Sequence, residues 1–462
     1  MKQISVVALG TCIVVSTAGC QKNQVENREV MVPEYEEQAY VQLFADCPPD
    51  TRVEENIREY YDAGFTGYVL TEDDAMLTDE KGVLTEAYKN TLKKLSEYGD
   101  VYIRNQHNYP YNWNNSKNTE IEIYGGSTTV IPKRNITTEL NELGNVVGYY
   151  QADEPEYDKI DTLLPLAEWH NKNAKDKLFH INLFPSYASA HFSGHTLEEY
   201  LQHYVDTILA KVEGPKTLGL DNYPLITNNV EGNNIRPTYL TDLLTVSNMA
   251  KTYNERTDKT SDITVGFCVQ SFIDNGIRDI ECKEDISFQS NTCLALGAQY
   301  LEYFTYRTIG NMLGLVQDGE KRDVWTYVKE VNEELKKWDH VIMAFDWEGA
   351  VTVAGTDEHE NEESFENARG LLLEELQAVE KIESRLDTLV GEFRDDNGRY
   401  GYMLVNYTEP TNHKIDYVDL TFKNARKALV YQGGDAKIYD VEDSKLQLRI
   451  GAGDAAFVIP LE

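Results

Sequence analysis

The sequence predicts a (β/α)8 TIM barrel followed by a small C-terminal antiparallel β-sandwich. Three observations carry that prediction. Between residues 38 and 344, short β-rich runs alternate eight times with helix-period segments, the pattern of parallel strands joined by crossover helices. The turn after the first strand reads Phe44-Ala45-Asp46-Cys47-Pro48-Pro49, with no Gly-rich phosphate loop, which disfavours an open doubly wound sheet. From Phe345 onward the texture shifts to short alternating runs, separated by turns such as Asp396-Asn397-Gly398 and Gln432-Gly433-Gly434.

The elements follow in chain order. Lys2, the apolar run Ile4 to Val15 and the small residues before Cys20 read as an export signal over residues 1–20. The run is too short for a membrane span, which needs about 20 residues. Polar residues 21–37 read as a tether. Strands are expected at Tyr40–Ala45, Gly67–Leu70, Val101–Arg104, Val146–Tyr150, Leu178–Leu183, Thr217–Leu220, Ile263–Val269 and Gln299–Thr305. Helices are expected from Thr51 to a Gly64 stop, and at Leu84–Tyr98, Ile160–Asn173, Leu197–Val212, Tyr239–Thr257, Ser287–Leu296 and Val324–Trp338. Residues 345–462 form the second region. It opens with an acidic loop, Asp357 to Glu366, and a helix over Phe365–Ile382. Seven strand-like runs between Thr388 and Leu461 follow.

Composition narrows the function. The 462 residues carry 78 Asp and Glu against 43 Lys and Arg, a formal charge of −35. Such a surface repels phosphate backbones, so nucleic acid is excluded as a partner and a neutral ligand fits best. The 30 tyrosines supply flat apolar faces on which sugar rings stack. After the leader, Cys47, Cys268, Cys282 and Cys293 remain. They show no CxxC spacing, so the sequence indicates no metal site, and all four read as packing or free thiols.

In a barrel of this kind the chemistry sits at the C-terminal ends of the strands. Those tips hold Asp46; Glu72, Asp73 and Asp74; Asn105 and His107; Asp153 and Glu154; Tyr187; Asp221 and Tyr223; Gln270; and Tyr306. They lack a nucleophile elbow, a HExxH helix and a Cys/His pair. Paired carboxyl groups among amides and aromatics suit glycosidic bond cleavage, which needs one carboxylic acid of raised pKa and one carboxylate. Glu302, inside the last strand, reads as part of a buried polar network.

Gly148-Tyr149-Tyr150-Gln151-Ala152-Asp153-Glu154-Pro155 resembles the strand-four motif of clan A, β-galactosidase-like glycoside hydrolases. Ile181-Asn182-Leu183-Phe184-Pro185 and Leu220-Asp221-Asn222-Tyr223-Pro224 resemble strand-five and strand-six tips of uncharacterised gut-bacterial members of that group. Leu294–Ala298 with Tyr303–Tyr306 resembles their last helix and strand, and Gly451–Val458 their accessory β domain. Gly19-Cys20 resembles a lipobox, which implies lipidation of Cys20 and a lipid anchor at the bacterial cell envelope as the one membrane contact.

The resemblance covers residues 38 to 340 and implies a carbohydrate substrate, no cofactor or metal, and Glu154 as acid/base. The group's strand-seven nucleophile is absent, since Val269-Gln270-Ser271-Phe272 stands there. Asp221 is then the best partner for Glu154, with Asp153 in support. His107, Asn105, Trp113, Asn182, Tyr187, Tyr223, Gln270 and Tyr306 are the candidate substrate contacts. Adjacent strand residues point to opposite faces, so Asp153 and Glu154 share a task only if the strand yields there. If they do, an N-acetylhexosaminidase using an Asp-Glu pair is an alternative. A glycan-binding barrel without catalysis is a second, and a two-lobed solute-binding lipoprotein a third.

Overall fold

In the computed structural model, eight parallel strands form the barrel: β1 (Gln42–Ala45), β2 (Gly67–Thr71), β3 (Asp100–Arg104), β4 (Val146–Asp153), β5 (Leu178–Asn182), β6 (Lys216–Leu220), β7 (Ile263–Gln270) and β8 (Tyr300–Phe304). The structure describes residues 30–37, 39–71, 84–104, 106–107, 119–124, 127–132, 139–143, 145–227, 233–257 and 262–462. The strands are hydrogen-bonded in the order β1-β8-β7-β6-β5-β4-β3-β2. The ring closes between β1 and β2, where the Thr66 N–H donates to Leu43 O at 2.7 Å and the Leu43 N–H to Thr66 Oγ1 at 2.8 Å.

The barrel interior is filled by aromatic rings, which form a floor beneath the strand tips. Phe44, Val69, Tyr102, Tyr150 and Tyr300 cluster there, and the His180 ring meets Tyr150 edge-on at 4.5 Å and Tyr300 at 5.4 Å. Gly266 makes the layer possible, since a Cβ there would lie 2.2 Å from the Tyr300 ring. The outer face of the strands packs against helices α1 (Glu54–Asp62), α2 (Glu86–Ser96), α3 (Leu164–Asn173), α4 (Leu197–Thr207), α5 (Tyr239–Asn254), α6 (Lys283–Ala295) and α7 (Asp323–Leu335). Six of the seven expected helices are shorter than the sequence suggests, two of them for a visible reason. A 3-10 segment, Tyr157–Leu163, leads into α3, whose second residue is Pro165, and α4 ends before Ile208.

The C-terminal region contains two antiparallel sheets. After a short helix α8 (Asp339–Ile342) come β9 (Phe345–Val353), helix α9 (Glu362–Ala368), β10 (Val379–Ser384), β11 (Thr388–Asp395), β12 (Tyr400–Asn406), β13 (Ile415–Phe422), β14 (Lys427–Gln432), β15 (Asp435–Asp440), β16 (Lys445–Gly451) and β17 (Ala455–Leu461). One sheet runs β9-β11-β12-β17-β14-β15 and the other β10-β13-β16. Val379, Val390, Tyr402, Leu404, Val418, Leu420 and Val458 fill the space between them.

The helix expected over Phe365–Ile382 is corrected. Helix α9 starts earlier, where Glu362 and Glu363 sit favourably at the positive end of its dipole. It ends by Gly370, and Val379–Ser384 pairs as a strand with β13 because Val379 and Ile382 reach the sandwich core.

Helix α6 lies between the barrel and the six-stranded sheet, and it is buried on all sides, polar residues included. Approach is close enough that a Cβ at Gly391 would fall 2.0 Å from Ala295 O. Trp347 Nε1 donates to the same carbonyl at 3.0 Å, and Asn291 Nδ2 to Gly453 O at 2.9 Å.

A buried charged knot joins the two regions. Arg278, in the loop after β7, donates to Asp285 Oδ2 of α6 at 2.8 Å and to Glu409 Oε1 of the β region at 2.9 Å. Glu409 Oε2 accepts from the Asn234 N–H of the loop after β6 at 2.8 Å. Removing one member of such a knot strands a buried charge. Glu409→Ala should therefore lower stability to urea by about 3 kcal/mol. Lys381→Ala, which breaks an exposed pair with Glu383, should leave it essentially unchanged, because solvent screens that pair.

Candidate active site

The site is shaped by an irregularity in β4. Pairing between β4 and β5 runs Tyr150↔His180, then Ala152↔Ile181 and Asp153↔Asn182, so Gln151 is one extra residue. This bulge turns both Gln151 and Ala152 away from the barrel axis and returns Asp153 to the interior. Gln151 is held outward by a 3.0 Å contact between its Nε2 and His170 Nδ1 of α3. The His170 Nε2–H donates to Lys177 O at 3.0 Å, so the ring accepts from Gln151 and is neutral, its pKa pushed down to about 4 by burial. The next residue, Glu154, takes a left-handed backbone with φ 47°. A non-glycine residue there is strained, which is common where a side chain must be aimed. Bulge and twist together let Asp153 and Glu154 face the same mouth despite being neighbours.

Asp153 is tied into the barrel. Its Oδ1 accepts from Asn182 Nδ2 at 3.1 Å and Tyr150 OH at 3.2 Å, and Arg104 Nη2 lies 3.5 Å from its Oδ2. Arg104, from the tip of β3, also pairs with Asp46 from β1 and stacks 4.5 Å over the Tyr150 ring. Lower in the barrel, Glu302 Oε2 stands 3.4 Å from His180 Nε2, and His180 Nδ1 meets Thr217 Oγ1 at 2.8 Å. Burial raises the pKa of Asp153 and of Glu302, and the Arg104 and His180 contacts counter the rise.

Glu154 and Asp221 interact side chain to side chain across the mouth. Burial, then Asp153, pushes Glu154 up to about 7, while the bond to Asp221 counters the rise. Burial, then Glu154 and Asp153, raises the pKa of Asp221 at the tip of β6. The two carboxyls meet in a poorly solvated space, where ionising both would place two charges together. Asp221 Oδ1 is buried without a hydrogen-bond partner in the structure, as is Asn222 Oδ1. Asp242 of α5 braces this corner, accepting from Asn222 Nδ2 at 2.7 Å and the Ser186 N–H at 3.0 Å.

The candidate substrate contacts divide. Tyr187 is 42% exposed at the rim, with its OH donating to Asp221 O at 3.1 Å and Arg236 lying 4.0 Å over its ring. Tyr223 packs with Phe272 and Phe304 beside Asp221. Asn182 lies in the mouth, holding Asp153. Two expectations are corrected. Gln270 is fully buried, its Oε1 accepting from the Leu225 N–H at 3.0 Å and its Nε2 donating to Arg278 O at 2.9 Å, so it braces two loops. Tyr306 packs between Tyr60 and Phe65 outside the barrel, because the chain turns outward after β8. His107 lies on a short strand beside Thr128. Asn105, Trp113, Cys20 and the acidic run Glu72 to Asp74 fall outside the described residues.

Sequence reasoning missed Arg104, the counter-charge of the mouth, and Asp242. Arg104 ends a predicted strand, and an Arg at such a tip among carboxylates was the available signal. A cavity of about 900 Å³ lies at the opposite end, lined by Lys251, Asn254, Ile263 and Trp347. It is remote from the strand tips that carry the carboxyls.

No family model and no curated protein matches the chain. Solved structures do match. A GH42 β-galactosidase from G. stearothermophilus aligns with TM-score 0.50 and 8% identity over 92% of this chain and 99% of that one. A GH30 endoxylanase from Clostridium papyrosolvens gives 0.44 and 12% over 93% and 99%. A β-galactosidase from Rahnella gives 0.47 and 8% over 93% and 99%. The chain shares the fold of barrel glycoside hydrolases. At these identities the likeness concerns the fold, and the roles of individual residues rest on the mouth itself.

The raised Glu154 has a consequence for stability. Its folded pKa of about 7 exceeds the ordinary 4.5, so the fold holds a proton that the unfolded chain has released. That contribution is complete below about 4.5 and is lost as pH rises through about 7. Glu154→Gln should accordingly be more stable than the parent at pH 8, by roughly 1–3 kcal/mol, with the gap shrinking toward pH 5. Urea unfolding at the two pH values checks this.

Proposed function

We propose that the protein is a glycoside hydrolase acting on an oligo- or polysaccharide, with Glu154 as general acid and Asp221 as base or nucleophile. The observation that carries the reading is the pair of buried carboxyls that the tips of β4 and β6 bring together. Cleavage needs one group protonated, to donate to the leaving oxygen, and one charged, to act at the anomeric carbon. A pKa of about 7 suits Glu154 to give up a proton near neutrality. Once Glu154 is protonated, its charge no longer opposes ionisation of Asp221. The partnerless Asp221 Oδ1 then offers an acceptor to a sugar hydroxyl or an attacking water.

The mouth favours a neutral sugar. Arg104 is already engaged by Asp46 and Asp153, so a carboxylate or sulfate on the substrate would meet carboxyl groups. The exposed Tyr187 ring edge provides apolar surface of the kind that pyranose faces require. The reading in which Asp153 orients an acetamide is less well supported, because Asn182, Tyr150 and Arg104 already engage its oxygens. Export with a lipid on Cys20 is part of the same proposal, supported by the residues around Gly19-Cys20.

Release of sugar from a panel of oligosaccharides and aryl glycosides tests the reading. Glu154→Gln should lose about 10²–10⁴-fold in rate on natural linkages and much less on dinitrophenyl glycosides, whose leaving group needs no acid. Asp221→Asn should lose activity on both. The parent's rate should fall as pH rises past about 7, as Glu154 loses its proton. Unchanged cleavage by both variants would overturn the assignment. Silence across the panel with saturable glycan binding would replace it with a binding protein.

A further inference from the structure

The junction between α6 and the β region gathers a second set of chemically active side chains, remote from the mouth. Cys282 is the residue that caps the N-terminus of α6, and Glu284 lies two residues on. His413, from the β region, sits on a left-handed turn with φ 48° immediately after Pro410–Asn412. One donor atom from each of the three lies within 4.8 Å of the others, and His413 Nδ1 is 3.3 Å from Glu284 Oε1.

The neighbouring charged residues are turned to other partners. Lys283 pairs with Glu334 of α7, and Asp285 with Arg278. A thiol, a carboxylate and an imidazole therefore remain together. The thiol has no disulfide partner, and the imidazole is mostly exposed to solvent.

We propose that Cys282, Glu284 and His413 bind one zinc ion that clamps α6 of the barrel to the β region. Sulfur, nitrogen and oxygen donors in one tetrahedral set suit zinc, whereas calcium and magnesium take oxygen alone. Zinc bonds of roughly 2.0–2.3 Å bring ligand atoms within about 3.3–3.8 Å of each other. The three donors need to draw in by about 1 Å, which the exposed His413 side chain can supply, and water completes the fourth position. On binding, the Cys282 sulfur–hydrogen bond gives way to a sulfur–zinc bond, and the proton passes to solvent.

The helix N-terminus opposes a cation but favours the thiolate. Glu281, Glu284 and Asp285 supply the negative field that offsets it. Burial, then Asp285 and Glu284, pushes the free thiol up to about 12. Only one cysteine takes part and His413 lies far along the chain from Cys282 and Glu284, which is why cysteine spacing carries no sign of the site. The proposal is independent of the glycosidase reading.

The test uses the full chain stripped of metal with a chelator. Titration with Zn²⁺ against a chromophoric competitor should show one equivalent bound. Co²⁺ should give a thiolate-to-cobalt charge-transfer band. Cys282→Ser should abolish the band, and both Cys282→Ser and His413→Gln should weaken zinc binding at least about 10-fold. Zinc should raise the thermal midpoint of the parent by roughly 2–4 °C and leave both variants unmoved. His413 lies on an exposed loop, so its variant keeps the test valid if Cys282→Ser folds poorly. Uptake below one equivalent, or equal uptake by parent and His413→Gln, would overturn the proposal.

Discussion

Carboxyl groups crowd one end of this barrel, and the need to manage their charge organises the site. Asp46, Asp153, Glu154, Asp221 and Glu302 all lie at or below the strand tips, in space largely closed to water. An isolated carboxylate there would be costly, so each is paired or holds a proton. Arg104 neutralises Asp46 and Asp153 together, and His180 stands beside Glu302. Glu154 and Asp221 meet each other, and burial raises the pKa of both.

Geometry brings those two groups to face each other. A regular β4 would send Asp153 and Glu154 to opposite faces. The extra residue at Gln151, anchored by the neutral His170, and the left-handed backbone at Glu154 place both in the mouth. The strain is offset by the outer packing of the barrel and by the β region. Glu409 holds the loops after β6 and β7 through Asn234 and Arg278, and Asn233 Nδ2 donates to Glu360 O at 3.1 Å. Arg236, on the same β6 loop, donates to Tyr223 O at 3.1 Å and covers Tyr187, so the β region reaches the rim of the mouth through one short chain of contacts.

Much of the fold was legible because the barrel strands are short apolar runs bounded by polar tips. Each of the eight expected strands overlaps an observed one. The carboxyl tips were legible for the same reason, since the ends of apolar runs mark the mouth. What the sequence concealed depends on contacts between distant residues. The bulge at Gln151 leaves no local signature, and its anchor is a histidine on the following helix. Gln270 and Tyr306 stand at strand ends but are turned to loop amides and to the outer aromatic layer, which periodicity does not distinguish from the mouth. Val379–Ser384 reads as helix until its partner β13 is known, because strand formation there depends on a pairing about 40 residues away.

The proposed function requires a glycosidic oxygen held between Glu154 and Asp221. The most direct measurement is a crystal structure of the Glu154→Gln protein with an uncleaved oligosaccharide bound. The expected result is the scissile oxygen within hydrogen-bond reach of the side-chain amide introduced by that substitution, and the anomeric carbon facing Asp221 directly or through one water. A glycan bound away from β4 and β6, or lying across the mouth with Asp221 out of reach of the anomeric carbon, would contradict it.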